Sequence, residues 1–283
     1  MADDTGSADF LAGMAESSRT RVEAARAKLS ENELLARAAD SPPPPVLQLS
    51  ARRFDVIAEV KFRSPAAGKL REGSDDSVVA RVAGYAEAGA AAVSVLTEPS
   101  RFDGSMEHLT TAVRALAGQI PAMRKDFLVD PYQVCEARLA GAGGVLLIVR
   151  MLDDEAMRAM IECAARLKLF VLLESFDAAD IARATKLVRH YASVATLLCG
   201  VNCRDLASLE VVPRRLEELV RLLPDTVPRV AESGVATAAD AGRIAIAGYD
   251  VALVGSALME SLEPHQLVRA MLSAGRTERA RRS

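Results

Sequence analysis

Residues 140–149 read AGAGGVLLIV. Ala140-Gly141-Ala142 has the form of a helix end, with glycine at the position that turns left-handed after the last helical residue. Val145 to Val149 is then an apolar run of strand length. The same junction recurs. Ala88-Gly89-Ala90 stands before VSVL, and Ala247-Gly248-Tyr249 stands before VALVG. Working outward, eight short apolar runs begin near Asp55, Ala91, Ile120, Gly144, Leu169, Leu197, Pro228 and Val251. Successive starts leave room for one helix and two loops. The runs are continuously apolar, as parallel strands covered on both faces require. A helix–glycine–strand unit repeated over about 230 residues predicts an α/β fold, a (β/α)8 TIM barrel. The competing doubly wound sheet would carry phosphate-binding glycines after its first strand, and no G-x-G-x-x-G occurs there.

Residues 10 to 40, rich in Ala, Glu, Arg and Leu, read as helix, and Pro42 to Pro45 break it. The expected organisation is a helical extension over 1–50, a barrel over 51–275 and a basic tail over 276–283 that frays in solvent.

Composition removes other classes. The chain has 283 residues, 35 Lys plus Arg against 38 Asp plus Glu, and a formal charge of −3. It carries 7 Phe, 4 Tyr and no Trp, so it lacks both the charge and the stacking platforms of a nucleic-acid binder. No apolar run approaches the roughly 18 residues of a membrane span. The N-terminus MADDTGSADF lacks a signal-peptide pattern, which points to the cytoplasm. The cysteines (135, 163, 199 and 203) form no C-x-x-C pair and read as idle thiols. The three histidines are far apart, so no metal site is expected.

In a TIM barrel the chemistry sits at the C-terminal strand ends, and the polar residues gather there. Strand 1 ends Glu59-Val60-Lys61, followed by Ser64-Pro65. Strand 3 ends Arg124-Lys125-Asp126-Phe127, strand 5 in Glu174, and strand 6 in Asn202-Cys203-Arg204-Asp205. Strand 7 ends Glu232-Ser233-Gly234 and strand 8 Gly255-Ser256. The i, i+2 spacing puts Glu59 and Lys61 on one face. Acids and lysines converging in a barrel mouth can shift each other's pKa and exchange protons. Gly234 and Gly255-Ser256, in the last two loops, suit a phosphate.

The quoted motifs resemble one family. EVKFRSPAAG (59–68), SVLTEPSRFDGS (94–105) and MRKDFLVDPYQVCEARLAGAGGVLLIV (123–149) are similar to segments of indole-3-glycerol-phosphate synthases. So are LLESFD (172–177), GVNCRDL (200–206), AESGV (231–235) and LVGSALM (253–259), in the family's order over roughly residues 50–260. The resemblance implies a cofactor-free carboxy-lyase of tryptophan biosynthesis. It would close the pyrrole ring of 1-(2-carboxyphenylamino)-1-deoxyribulose 5-phosphate with loss of carbon dioxide and water. By resemblance Lys125 is the general acid, and Glu174 and Glu59 move protons during dehydration, with their division of labour open. Lys61 stands near the phosphate and is a possible second acid. Asn202 and Arg204 surround the reacting centre, and Ser64 and Pro65 shape the first loop. Glu232 and Ser233 line the pocket, and Phe102, Phe127 and Leu146 wall the benzene ring. Gly234, Gly255 and Ser256 grip the phosphate. The implied partner is a small anionic substrate, with no nucleic acid or membrane, and the chain is expected as a monomer or homodimer. Ala66 stands where the family usually has Ser, Phe62-Arg63 is unusual, Cys203 replaces Asn or Ser, and the first 50 residues match poorly. These departures keep an alternative open: a relative in secondary metabolism that stops at an Amadori rearrangement or uses a substituted ring.

Overall fold

The computed structural model describes residues 4–51, 54–64, 68–70 and 75–282. Two helices come first, α1 (Asp4–Arg26) and α2 (Glu31–Asp40). The single helix expected over 10–40 is therefore broken. Ser30 caps α2 by accepting from the Glu33 amide, and a serine in this role starts a new helix.

Eight parallel strands follow: β1 (Asp55–Val60), β2 (Ala92–Leu96), β3 (Ala122–Lys125), β4 (Gly144–Ile148), β5 (Phe170–Ser175), β6 (Leu197–Asn202), β7 (Arg229–Glu232) and β8 (Val251–Val254). Each pairs with its sequence neighbour, and β1 pairs with β8, so the barrel closes. Closure rules out the doubly wound sheet. Gly141, at φ 87°, and Gly89, at φ 92°, take the left-handed conformation expected of these helix ends.

Alternation along the strands sorts side chains into two cores. Val56, Ala58 and Val60 face the helices. Ile57, Met123, Leu146, Leu172, Leu198, Val230 and Leu253 fill the interior. That inner cluster continues into Leu11 and Met14 of α1, so α1 lies across one end of the barrel. Leu47 and Leu49, after α2, pack against the same cluster.

The basic tail does not fray at 276. One helix runs Pro264–Arg282. Arg276 pairs with Asp55 and Arg279 with Asp250, which fasten it under the barrel. Among the described residues, no helix is long and apolar enough to cross a membrane.

Candidate active site

The barrel register decides which side chains meet. Glu59 shares its face of β1 with Ile57, and Lys125 shares its face of β3 with Met123. Glu174 follows Leu172 on β5, and Glu232 follows Val230 on β7. Going round from Glu232 to Leu253 and on to Ile57, two residues before Glu59, the layer slips by one residue per strand relative to the hydrogen-bonded pairs, and the register of β1 with β2 and of β2 with β3 has the same sense. The same slip links Lys125 to Glu174 through Leu146 and Leu172. These four residues therefore form one layer contributed by alternate strands. It lies directly above the apolar layer Ile57, Met123, Leu172 and Val230.

Three acids and one lysine in a buried layer set their own charges. Lys125 Nζ lies 3.7 Å from Glu174 Oε1 and 3.7 Å from Glu232 Oε2. Burial alone would lower the lysine's pKa, but Glu174, Glu232 and Glu59 outweigh it and hold the ammonium above the usual lysine range. Glu232 moves the other way. Burial, reinforced by the charge of Glu174 and only partly relieved by Lys125, raises its carboxyl well above the ordinary value. Among the described residues, neither Glu232 oxygen has a hydrogen-bond partner. The layer thus offers a proton donor on Lys125 and, in Glu232, a carboxyl that holds its proton more tightly than an ordinary one.

Partners fix the other two carboxylates. Asn202 Nδ2 donates to Glu174 Oε1 at 2.5 Å, and Asn202 Oδ1 accepts from the Arg204 amide at 3.0 Å. Lys61 Nζ pairs with Glu59 Oε1 at 2.9 Å. A β-carbon on Gly255 would lie 2.1 Å from that oxygen and 2.9 Å from Lys61 Nζ, so only glycine fits beside the pair. Ser233 and Gly234 both have positive φ, 64° and 69°. Two successive residues in this region bend the chain sharply where β7 ends, beside the cavity. Gly255 opens the helix Ser256–Glu260.

A cavity of about 320 Å³ stands above the layer. It brings together Glu59, Lys61, Lys125, Glu174, Asn202, Arg204, Glu232, Ser233, Gly234, Gly255 and Ser256, with Phe102, Phe127 and Leu146 on its wall. Pro65 lies outside the described residues, as does the side chain of Ser64. The Arg204 guanidinium donates to the Leu209 carbonyl at 2.6 Å and so braces its own loop. Arg124 is not in the mouth. It turns into the helix layer, where it donates to the Gln133 carbonyl and pairs with Glu136 at 2.9 Å. A larger recess of about 1340 Å³ at the opposite end contains none of the candidate site residues singled out in sequence. The Arg276 and Arg279 guanidiniums that line it are taken up by Asp55 and Asp250.

By resemblance the N-terminal helix helps cover the mouth and exclude water, but none of the residues that do so was singled out in sequence. Phe10 and Leu11 of α1 line the cavity, and Phe10 meets Phe127 edge-on with ring centroids 5.9 Å apart. The Arg21 guanidinium donates twice to Asp126, at 2.8 Å each, and Gln133 donates to Ser18 at 2.8 Å. A signal was present: Leu11, Met14, Ala15, Ser18 and Val22, all buried, recur at helical spacing and mark one face of α1.

Comparisons with known proteins point to one family. A family model described as "Indole-3-glycerol phosphate synthase" matches residues 11–271. The match therefore includes most of the N-terminal segment, more than the 50–260 expected from motifs. The indole-3-glycerol phosphate synthase of Mycobacterium avium (strain 104) is 40% identical over 270 residues, 95% of each chain. That of Parafrankia sp. (strain EAN1pec) is 43% identical over 227 residues, 80% of this chain and 81% of its own. Among solved structures, 3-hexulose-6-phosphate synthase from Salmonella typhimurium superposes with a TM-score of 0.62 at 14% identity, covering 79% of this chain and 99% of its own. At that identity the likeness concerns the fold alone.

Proposed function

The chain belongs to the indole-3-glycerol phosphate synthase family, carboxy-lyases of tryptophan biosynthesis, and from that membership we propose how its own residues carry the ring closure. The substrate is 1-(2-carboxyphenylamino)-1-deoxyribulose 5-phosphate. Its benzene ring lies against Phe102, Phe127 and Leu146, and its phosphate lies at Ser233-Gly234 and Gly255-Ser256, with Lys61 adding positive charge. This places the ribulose carbonyl over the Lys125 layer.

As the ring carbon bearing the carboxylate attacks the carbonyl, negative charge grows on the carbonyl oxygen. Lys125 donates a proton to it, which both neutralises and stabilises that charge. Carbon dioxide then leaves and restores the aromatic ring. Dehydration needs one proton delivered to the departing hydroxyl and one removed from the neighbouring carbon. Glu174 and Glu59 carry these protons, with Lys61 as the exchange partner of Glu59. Asn202 holds Glu174 in position. Phe10 and Leu11 exclude water from the reacting centre. The protein works in the cytoplasm on a dissolved anionic substrate, as a monomer or homodimer, with no cofactor and no nucleic-acid partner. Ser64 and Pro65 shape the first loop at the cavity's edge.

The observation that carries this reading is the Lys125 ammonium held between the carboxyl groups of Glu174 and Glu232 at the base of the cavity. The test is to mix purified protein with the carboxyphenylamino-ribulose phosphate and follow indole fluorescence together with released carbon dioxide. Both are expected in equal amounts. A relative that stops at rearrangement would instead convert an N-ribosylated aminobenzoate phosphate into a product that retains its carboxylate, and no turnover of verified carboxyphenylamino-ribulose phosphate would sink the ring-closure assignment.

A further inference from the structure

All four cysteines are free and buried, but two of them meet. Cys135 lies on the helix Pro131–Leu139 that follows β3, and Cys163 on the helix Asp154–Arg166 that follows β4. Their sulfurs are 3.6 Å apart. A disulfide needs about 2.0 Å, so the sulfurs must approach by roughly 1.6 Å to close it. We propose that Cys135 and Cys163 form a redox-closable dithiol, a modification site outside the active cavity that takes a hydroperoxide as oxidant and ends as an intramolecular disulfide.

The surroundings separate this pair from the other two thiols. Sharing a proton with Cys135 draws the Cys163 thiol below the ordinary thiol range against the effect of burial, and Arg166 on the same helix adds to the pull. The thiolate is the reactive form. Burial pushes Cys199 up to about 12 and Cys203 up to about 11, which keeps both protonated and inert.

Access runs through the α1–α2 turn. Arg26, at the end of α1, pairs with Glu31 at the start of α2 and with Asp130 beside the Cys135 helix, each at 2.9 Å. The Glu31 carboxylate lies close enough for its charge to raise both thiols slightly, a minor effect beside that of their contact. These ion pairs are exposed, and exposed pairs add little stability. Local opening of the turn therefore costs far less than unfolding and admits a small oxidant.

The step balances as follows. The Cys163 thiolate attacks one peroxide oxygen, the O–O bond breaks, and the departing hydroxide takes up a proton to become water. Cys163 is now a sulfenic acid. The Cys135 sulfur attacks it, the S–O bond breaks, and the second water leaves with the Cys135 proton. Two thiols are oxidised by two electrons and one peroxide is reduced to two waters.

The linked helices have a structural consequence. The helix Pro131–Leu139 seats α1 through Gln133 on Ser18, and Asp130 at its cap binds Arg26. Tying this helix to its neighbour would stiffen the base of the cavity's cover.

The test uses the full-length wild-type protein with a small excess of hydrogen peroxide, followed by alkylation, digestion and mass spectrometry. Expected is a linked peptide pair containing Cys135 and Cys163, two hydrogen masses lighter than the sum and released by dithiothreitol. Cys199 and Cys203 should remain alkylatable after unfolding. Cys135→Ser should leave Cys163 as a sulfenic acid trapped by dimedone. The proposal is overturned if both cysteines stay as thiols while methionines oxidise, if either goes to sulfinic acid unlinked, or if a different pair forms. The wild-type readout decides even where the variant folds poorly.

Discussion

Gly200 on β6 and Glu232 on β7 fit together because one of them lacks a side chain: a β-carbon on Gly200 would lie 2.1 Å from Glu232 Oε1. Both face the barrel interior, where a buried carboxyl needs space that a neighbouring strand must leave open. Gly200→Ala should displace Glu232 from the layer around Lys125. Overpacking of this kind costs about 1–3 kcal/mol. The expected result is a fall of at least about tenfold in kcat, the activity equivalent of about 1.4 kcal/mol, with Tm lower by several degrees. Unchanged kcat and Tm would show that the layer can rearrange freely.

Lys125 is the proton donor of the proposed ring closure, and Met matches its length without a proton. Lys125→Met should lower kcat by about 10²- to 10⁴-fold, the usual contribution of a general acid. KM should move little, since the phosphate and ring contacts lie elsewhere. Far-ultraviolet circular dichroism checks that the barrel persists. Near wild-type kcat would remove Lys125 from the mechanism.

Glu232 gives a pH prediction with a definite sign. Burial and the neighbouring Glu174 charge raise its carboxyl well above the ordinary 4.5 in the folded protein. Above that ordinary value the unfolded chain releases the proton while the folded chain keeps it. Stability linked to this group is therefore complete at low pH and lost as pH rises toward the raised value. Glu232→Gln has no proton to lose. The Tm difference, wild type minus variant, should fall as pH rises above the ordinary 4.5. A constant difference would mean that Glu232 titrates normally.

The barrel was legible because strands buried on both faces write continuous apolar runs, as at Val145–Val149. The site was legible where one strand carries its own spacing, as in Glu59 and Lys61. Contacts set by closure were not. Gly200 meets Glu232, and Cys135 meets Cys163 28 residues away, only because neighbouring elements take a particular register. The break between α1 and α2 was hidden because Lys28 and Leu29 are good helix formers. A single capping serine outweighs their propensity.

Arg21 and Asp126 are 105 residues apart in sequence and join the cover to the end of β3. Burial would raise the Asp126 carboxyl, but Arg21, Arg124 and the Thr97 hydroxyl outweigh it and lower it to about 2. A folded value below the unfolded 3.8 adds stability that is present at neutral pH and lost as pH falls through about 2. The size is about 2 kcal/mol, shared among the partners. Arg21→Ala should remove Arg21's share and loosen α1. Tm at pH 7 should drop by several degrees, and the gap from wild type should narrow as pH approaches 2 and Asp126 is protonated in both. α1 carries Phe10 and Leu11 on the cavity wall. KM should therefore rise more than kcat falls, and limited proteolysis should cut first within α1. A pH-independent gap, or a drop in kcat at constant KM, would mean that the pair acts on Lys125 chemistry rather than on the cover.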